Sequence, residues 1–236
     1  MLKKLISAFV VVSALSVGPL VAQDMKRPLM LNGHGEVKMA PDMAIVDFGV
    51  ESQAPTAKAA LEANTKNMAA LMAVLKSASI EDKDIQTSNF VVQPRYDDRA
   101  NINPPKIVGY AVSNSVSVAV HKLDNLGILL DKAVTAGSNQ ISNINFTLSA
   151  PQAAQDEARK AAVKDALHKA TLLTDAAGVK LGALQSMSEI GGGSIAPMAK
   201  MSRMAANSMV ADGAPVPVAQ GQLSISADVN MVWELQ

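Results

Sequence analysis

The C-terminal stretch constrains the fold more than any other. Leu223, Ile225, Ala227, Val229, Met231, Trp233 and Leu235 fall on one face of an extended chain, and Ser224, Ser226, Asp228, Asn230 and Glu234 fall on the other. A period of two held for this length dictates a half-buried strand in an antiparallel sheet, with its apolar face covered by another layer. The chain must supply that cover and at least one neighbouring strand.

Upstream signals supply both. Leu31–Met39 reads as a strand carrying Gly33-His34-Gly35 and turned by Pro41-Asp42. A second strand places Ala44, Val46, Phe48 and Val50 on one face. Pro55-Thr56 opens a helix striped by Leu61, Met68, Leu71, Met72 and Leu75, and Ser77–Glu81 ends it. Ile85–Tyr96 is a third strand, and Asp97–Lys106 is a polar hairpin loop. In the fourth strand Tyr110, Val112, Val116, Val118 and Val120 alternate with Ser113, Ser115 and Ser117, and Asn114 interrupts the apolar face. A helix over 124–136 carries Leu126, Leu129, Leu130, Ala133 and Val134. A fifth strand over 140–149 points Ile144, Phe146 and Leu148 inward.

Ser149-Ala150-Pro151-Gln152 fits a capping box for a third helix, and Gly178 fits its C′ position. Between them Ala154, Ala158, Ala162, Ala166 and Ala170 form an i, i+4 ridge small enough for a close neighbour. A sixth strand runs from Leu181 to Ile190. The order ββαββαβαββ predicts an α+β chain with mostly antiparallel sheets and two intertwined lobes. The expected lobes are 28–107 plus 221–236, and 108–190 with a ferredoxin-like split βαβ. Residues 191–220, rich in Gly, Ala, Pro and Met, are expected to form a mobile arm.

The N-terminus reads as an export address. Lys3 and Lys4 precede an apolar run over Leu5–Val17, and Ala22 sits where a signal peptidase would cut, although Leu20 occupies a position that prefers a small residue. Cleavage would leave 214 residues with 19 basic and 21 acidic side chains, a net charge of −2. The chain has no Cys, which excludes disulfides, thiolate catalysis and Cys-ligated zinc. No basic stripe points to nucleic acid, and seven aromatic residues offer little for base or sugar stacking. No run after the signal is long enough for a transmembrane helix.

Several short motifs recur in a familiar order: Gly33-His34-Gly35-Glu36-Val37 with Pro41-Asp42, Asp84-Ile85-Gln86-Thr87, Pro94-Arg95-Tyr96 and Gly109-Tyr110. Leu123-Asp124, Leu126-Gly127, Asp131, Phe146-Thr147-Leu148, Ala158-Arg159, Lys169-Ala170 and Gly178-Val179-Lys180-Leu181-Gly182 continue the series. Together they resemble the SIMPL-domain (DUF541) family of bacterial envelope proteins, with one departure, Ser79 where Gly is expected before Ile80. The resemblance implies a periplasmic or outer-membrane-associated protein, a two-lobed α/β fold, self-association and a link to oxidative-stress defence. It carries over no catalytic residue.

No residue cluster names a reaction. His34, His121 and His168 lack metal-like spacing. His168 reads as part of a solvated helix face, and His34 between two glycines as a strand irregularity. Gly33-His34-Gly35 lacks a dinucleotide fingerprint, Gly191-Gly192-Gly193-Ser194 lacks the Lys of a phosphate loop, and there is no Gly-x-Ser-x-Gly elbow. No catalytic residue and no cofactor are therefore assigned. Met198, Met201 and Met204 repeat every third residue, with Met209 nearby, a spacing that suits Cu(I) or sacrificial oxidation. The plainer reading, adaptable apolar contact, is preferred. The expected function is non-enzymatic: a self-associating protein with peripheral envelope contacts, with a ligand- or metal-binding module on the Met arm as the alternative. The arm, the serine face of the fourth strand and the alanine ridge are the candidate interfaces.

Overall fold

In the computed structural model the described residues are 27–97, 104–197 and 216–236, with backbone alone at 192–194. The strands are β1 (Arg27–Met39), β2 (Met43–Ala54), β3 (Ile85–Tyr96), β4 (Ile107–Val120), β5 (Gln140–Thr147), β6 (Leu181–Pro197) and β7 (Leu223–Leu235). The helices are α1 (Ala57–Ser77), α2 (Leu126–Thr135) and α3 (Gln152–Ala177). The fold is α+β in the expected element order. Two antiparallel sheets carry the strands, β1-β7-β6 and β3-β4-β2-β5.

In the three-stranded sheet β1 and β7 pair without a break from Arg27↔Leu235 to Met39↔Leu223. The apolar face of β7 is buried from Leu223 to Trp233, and α3 covers it with the ridge Ala154, Ala158, Ala162, Ala166 and Ala170. The helix backbone comes so close to β1 that a Cβ at Gly33 or Gly35 would run into the carbonyl oxygens of Ala162 and Ala158. The two glycines are therefore a packing requirement inside a regular strand, which corrects the expectation of an irregularity at His34.

The four-stranded sheet is built from larger pieces. Ala44, Val46, Phe48 and Val50 of β2 are fully buried, with Val116 and Val118 of β4, under Met68, Leu71 and Leu75 of α1 and Leu126, Leu129 and Leu130 of α2. The α1 stripe is offset from the expected one: Ala60 and Asn64 are buried and Leu61 is exposed. Asn64 belongs inside because its Nδ2 donates to the carbonyls of Val50 (2.7 Å) and Val112 (3.1 Å), and buried carbonyls need donors. Val134 also faces outward, past the buried edge of α2.

In β5, Ile144 is exposed rather than inward. Ile141 pairs with Phe48 and Phe146 with Ala44, so four intervening residues of β5 oppose three of β2. Asn143, at φ 53°, takes up the extra residue, and the bulge reverses the parity of the strand.

The sheets divide the chain differently from the expected 28–107 plus 221–236 and 108–190. β1 joins β6 and β7, while β2 to β5 lie together. β4, α2 and β5 do make a split βαβ around β2, but β6 pairs with β7 in the other sheet. The crossovers between sheets are tied where Asp42 accepts from the Ser149 amide (2.7 Å) and hydroxyl (2.9 Å). That use of Ser149 replaces the expected capping box: Pro151 is the N-cap of α3 and makes no side-chain cap. The expected arm also starts later, since Gly191–Pro197 continue β6 as far as Pro197↔Leu223.

Candidate functional site

Of the sites expected from sequence, Met198, Met201 and Met204 lie outside the described residues, as does the export address. Among the described residues no group of three or more His, Asp or Glu could hold a metal ion, and no helix is long and apolar enough to cross a membrane.

The alanine ridge is consumed inside the fold, so it offers no outer interface. The serine face of β4 is partly spoken for: Ser113 donates to Gln140 Oε1 (3.4 Å), and Gln140 Nε2 donates to Glu51 Oε2 (3.0 Å).

A different surface stands out. Among the described residues β3 is an edge strand whose only neighbour is β4, and after Ile85 every residue to Tyr96 is exposed. Its sequence favours strand through β-branched and aromatic side chains, yet α1 lies over β2 and β4 and leaves β3 largely uncovered. Phe90 is 54% exposed, and Val91, Val92 and Tyr96 are exposed as well. Ile107 and Val108, at the start of β4, extend the patch. The inner faces of β3 and β4 continue into a groove of about 510 Å3 floored by Met68, Met72, Ile85 and Val116. Exposed aromatic and aliphatic side chains on both faces of an edge strand, with one row of main-chain groups lacking a strand beside it among the described residues, form a pairing surface.

A second concavity, about 670 Å3, lies between the end of α1, the short 3-10 turn at Asp82–Asp84, the end of β4 and α2. Here the structure assembles one predicted histidine with a carboxylate. His121 Nε2 lies 3.5 Å from Asp84 Oδ1, and the Asp84 side chain is mostly buried. Glu81, on the same rim, is engaged by Lys83 Nζ at 2.8 Å, and that hydrogen bond holds its carboxyl below the usual range.

The outer face of the three-stranded sheet is polar. His34 Nδ1 meets Asp228 Oδ1 at 2.8 Å, and the Ser224 hydroxyl donates to Glu36 Oε1 at 2.6 Å, which lowers the Glu36 pKa. At the β1 edge the His34 amide donates to Asp165 Oδ2 (2.8 Å), which also receives Lys169 Nζ (2.6 Å). The lysine first and the amide second hold Asp165 below the usual carboxylate range. His168 stays on the solvated face of α3.

Sequence reasoning located β3 but not its exposure, because a Phe-Val-Val run reads as buried until strand order is known. The 670 Å3 cleft left no signal, since its walls come from separated segments.

The model of the SIMPL family, described as a protein of unknown function (DUF541), matches residues 29–233. The 26 kDa periplasmic immunogenic protein of Brucella melitensis is 41% identical over 215 residues, which are 88% of this chain and 84% of that protein. The uncharacterized protein YggE of Escherichia coli K12 is 30% identical over 213 residues, 88% of this chain and 83% of its own length.

Proposed function

We propose, from the premise that the chain belongs to the SIMPL family, that it is an exported, non-enzymatic envelope protein that works by self-association through the β3 edge. Its role is to support envelope integrity or oxidative-stress defence. The export address and the periplasmic name of the Brucella relative support the location. The observation that carries the reading is β3 itself, an edge strand exposing Phe90, Val91, Val92 and Tyr96. Large exposed apolar patches on soluble domains mark contact sites, and an open edge pairs most readily with another strand. A second copy provides such a strand, and pairing edge to edge satisfies the main-chain groups that one copy leaves open.

Light scattering on a sizing column tests this with the chain from residue 23 onward. The wild type is expected to give a discrete oligomer whose mass holds on tenfold dilution. Val91→Lys with Val92→Lys, both exposed, should lower that mass to the monomer without changing the melting temperature by more than a few degrees. A wild-type monomer at all concentrations, or an oligomer indifferent to the double variant, would overturn the assignment.

A further inference from the structure

We propose that the cleft beside His121 is a binding site for a small organic anion with an apolar body, of the medium-chain carboxylate class. This goes beyond self-association, because the cleft involves no β3 residue and lies at the end of the sheet where α1 stops and α2 starts. Its volume, about 670 Å3, falls in the range of roughly 300–1,000 Å3 usual for small-molecule sites.

The walls set the ligand's chemistry. Ile80, Val120, Ile128 and Leu129 provide an apolar floor and side, and Ile128 is 44% exposed. The rim carries cations and anions unequally. Glu81 is engaged by Lys83, and the mostly buried Asp84 lies 3.5 Å from His121, which leaves at most one carboxylate charge to set against the lysines. Lys122 and Lys132, which line the same cleft, have no ion-pair partner among the described residues. The charge left over is positive.

Main-chain groups point the same way. At the end of α1 the carbonyls of Val74, Leu75 and Lys76 accept from the amides of Ala78, Ser79 and Ile80, so these three are not left open to a cation. The first turn of α2 begins at Asn125, which lines the cleft and makes no side-chain cap, and a helix N-terminus favours negative charge. A lone inorganic anion would leave the apolar floor unused, and a neutral hydrocarbon would leave the two lysines unmatched. An anion with an apolar tail meets both requirements.

The test is calorimetric titration of the chain from residue 23, which holds every described residue, with decanoate, decyltrimethylammonium and sulfate in turn. Saturable decanoate binding is expected, at least tenfold tighter than either control. Lys122→Ala with Lys132→Ala should weaken decanoate at least tenfold, and Ile128→Glu should abolish it. All three positions are exposed, so an unchanged thermal melt certifies each variant as folded. No saturable decanoate binding, equal binding of sulfate or of the cation, or an affinity indifferent to these substitutions would overturn the proposal. So would retention on phosphatidylglycerol vesicles without a decanoate response, which would make the lysines a membrane contact. Val91→Lys with Val92→Lys should leave decanoate affinity unchanged, so failure of the assembly reading and failure of this one are read separately.

Discussion

The two helix–sheet layers solve one problem in opposite ways. Over the three-stranded sheet, α3 presents five alanines to Gly33 and Gly35 of β1 and to the apolar face of β7, and the backbones of α3 and β1 nearly touch. Over the four-stranded sheet, α1 and α2 present Met68, Leu71, Leu75, Leu126 and Leu129 to Phe48, Val46 and Val50, and side-chain volume fills the space. The first layer gains from many short contacts between small groups, the second from apolar area removed from water. The two should therefore fail under opposite substitutions, one when atoms are added and the other when they are taken away.

The largest expected effect comes from crossing those substitutions. Phe48→Ala should cost about 3–5 kcal/mol, because a fully buried ring leaves a cavity that its neighbours fill only in part. Gly35→Ala adds one methyl, yet should cost about 3 kcal/mol, because the new Cβ meets the Ala158 carbonyl and the Ala162 amide nitrogen, groups fixed in a helix. Ala158→Gly, which removes a methyl from the same layer, should cost about 1 kcal/mol, mainly helix propensity. Urea unfolding measures all three. A Gly35→Ala effect under 1 kcal/mol would show that α3 can move away from β1, and the contrast between layers would collapse.

The contrast also explains what could be read in the sequence. Period-two faces were legible wherever one side is buried: β2 and β7 lie as the alternation predicts, and β3 has the expected bounds. The alanine ridge was legible as a close-packing surface, but its partner was not, since Gly33 and Gly35 carry no periodic signal. Local exceptions escaped for physical reasons. Asn64 is buried for the sake of two carbonyls, and Ile144 is turned outward by a bulge centred on Asn143. The exposure of β3 and the cleft near His121 depend on strand order and on contacts between distant segments, which no window of sequence contains.

A smaller effect concerns how the tight layer is fastened at its side. Asp165 receives the edge amide of His34 and the ammonium of Lys169, and both hold its pKa down. A carboxylate with a lowered folded pKa contributes stability that is fully present above its unfolded pKa and is lost as pH falls through the folded value. Wild type should therefore exceed Asp165→Asn in denaturation midpoint at pH 7, and the gap should close as pH drops below the usual carboxylate range. A gap unchanged between pH 7 and pH 2.5 would assign the difference to hydrogen-bond geometry rather than charge. The group is partly exposed, so high salt should shrink the gap as well.

The smallest effect separates the two layers at their helix ends. α3 closes on Gly178 at φ 67°, and α1 closes on Ser79 at φ 63°, the same left-handed conformation. At α1 the closure is a full Schellman motif: the Ile80 amide reaches the Leu75 carbonyl at 3.1 Å, and the Ser79 amide reaches Lys76 at 3.0 Å. The hydrogen bonds and the apolar Ile80 contact are all made, so the strain sits in one residue, where a Cβ disfavours positive φ by about 1 kcal/mol. Ser79→Gly should remove that strain and stabilise the chain by about 0.5–1 kcal/mol, less the extra freedom that glycine gains when unfolded. Gly178→Ser should cost a similar amount, because a Cβ there meets no atom within 4 Å and only the backbone conformation opposes it. Equal and opposite shifts in urea midpoint would show that the two helix ends differ in sequence and not in geometry. A Ser79→Gly variant that is less stable than wild type would mean that the serine side chain contributes at the rim of the cleft it lines, and decanoate titration of that variant would then show whether the contribution is to the fold or to the ligand.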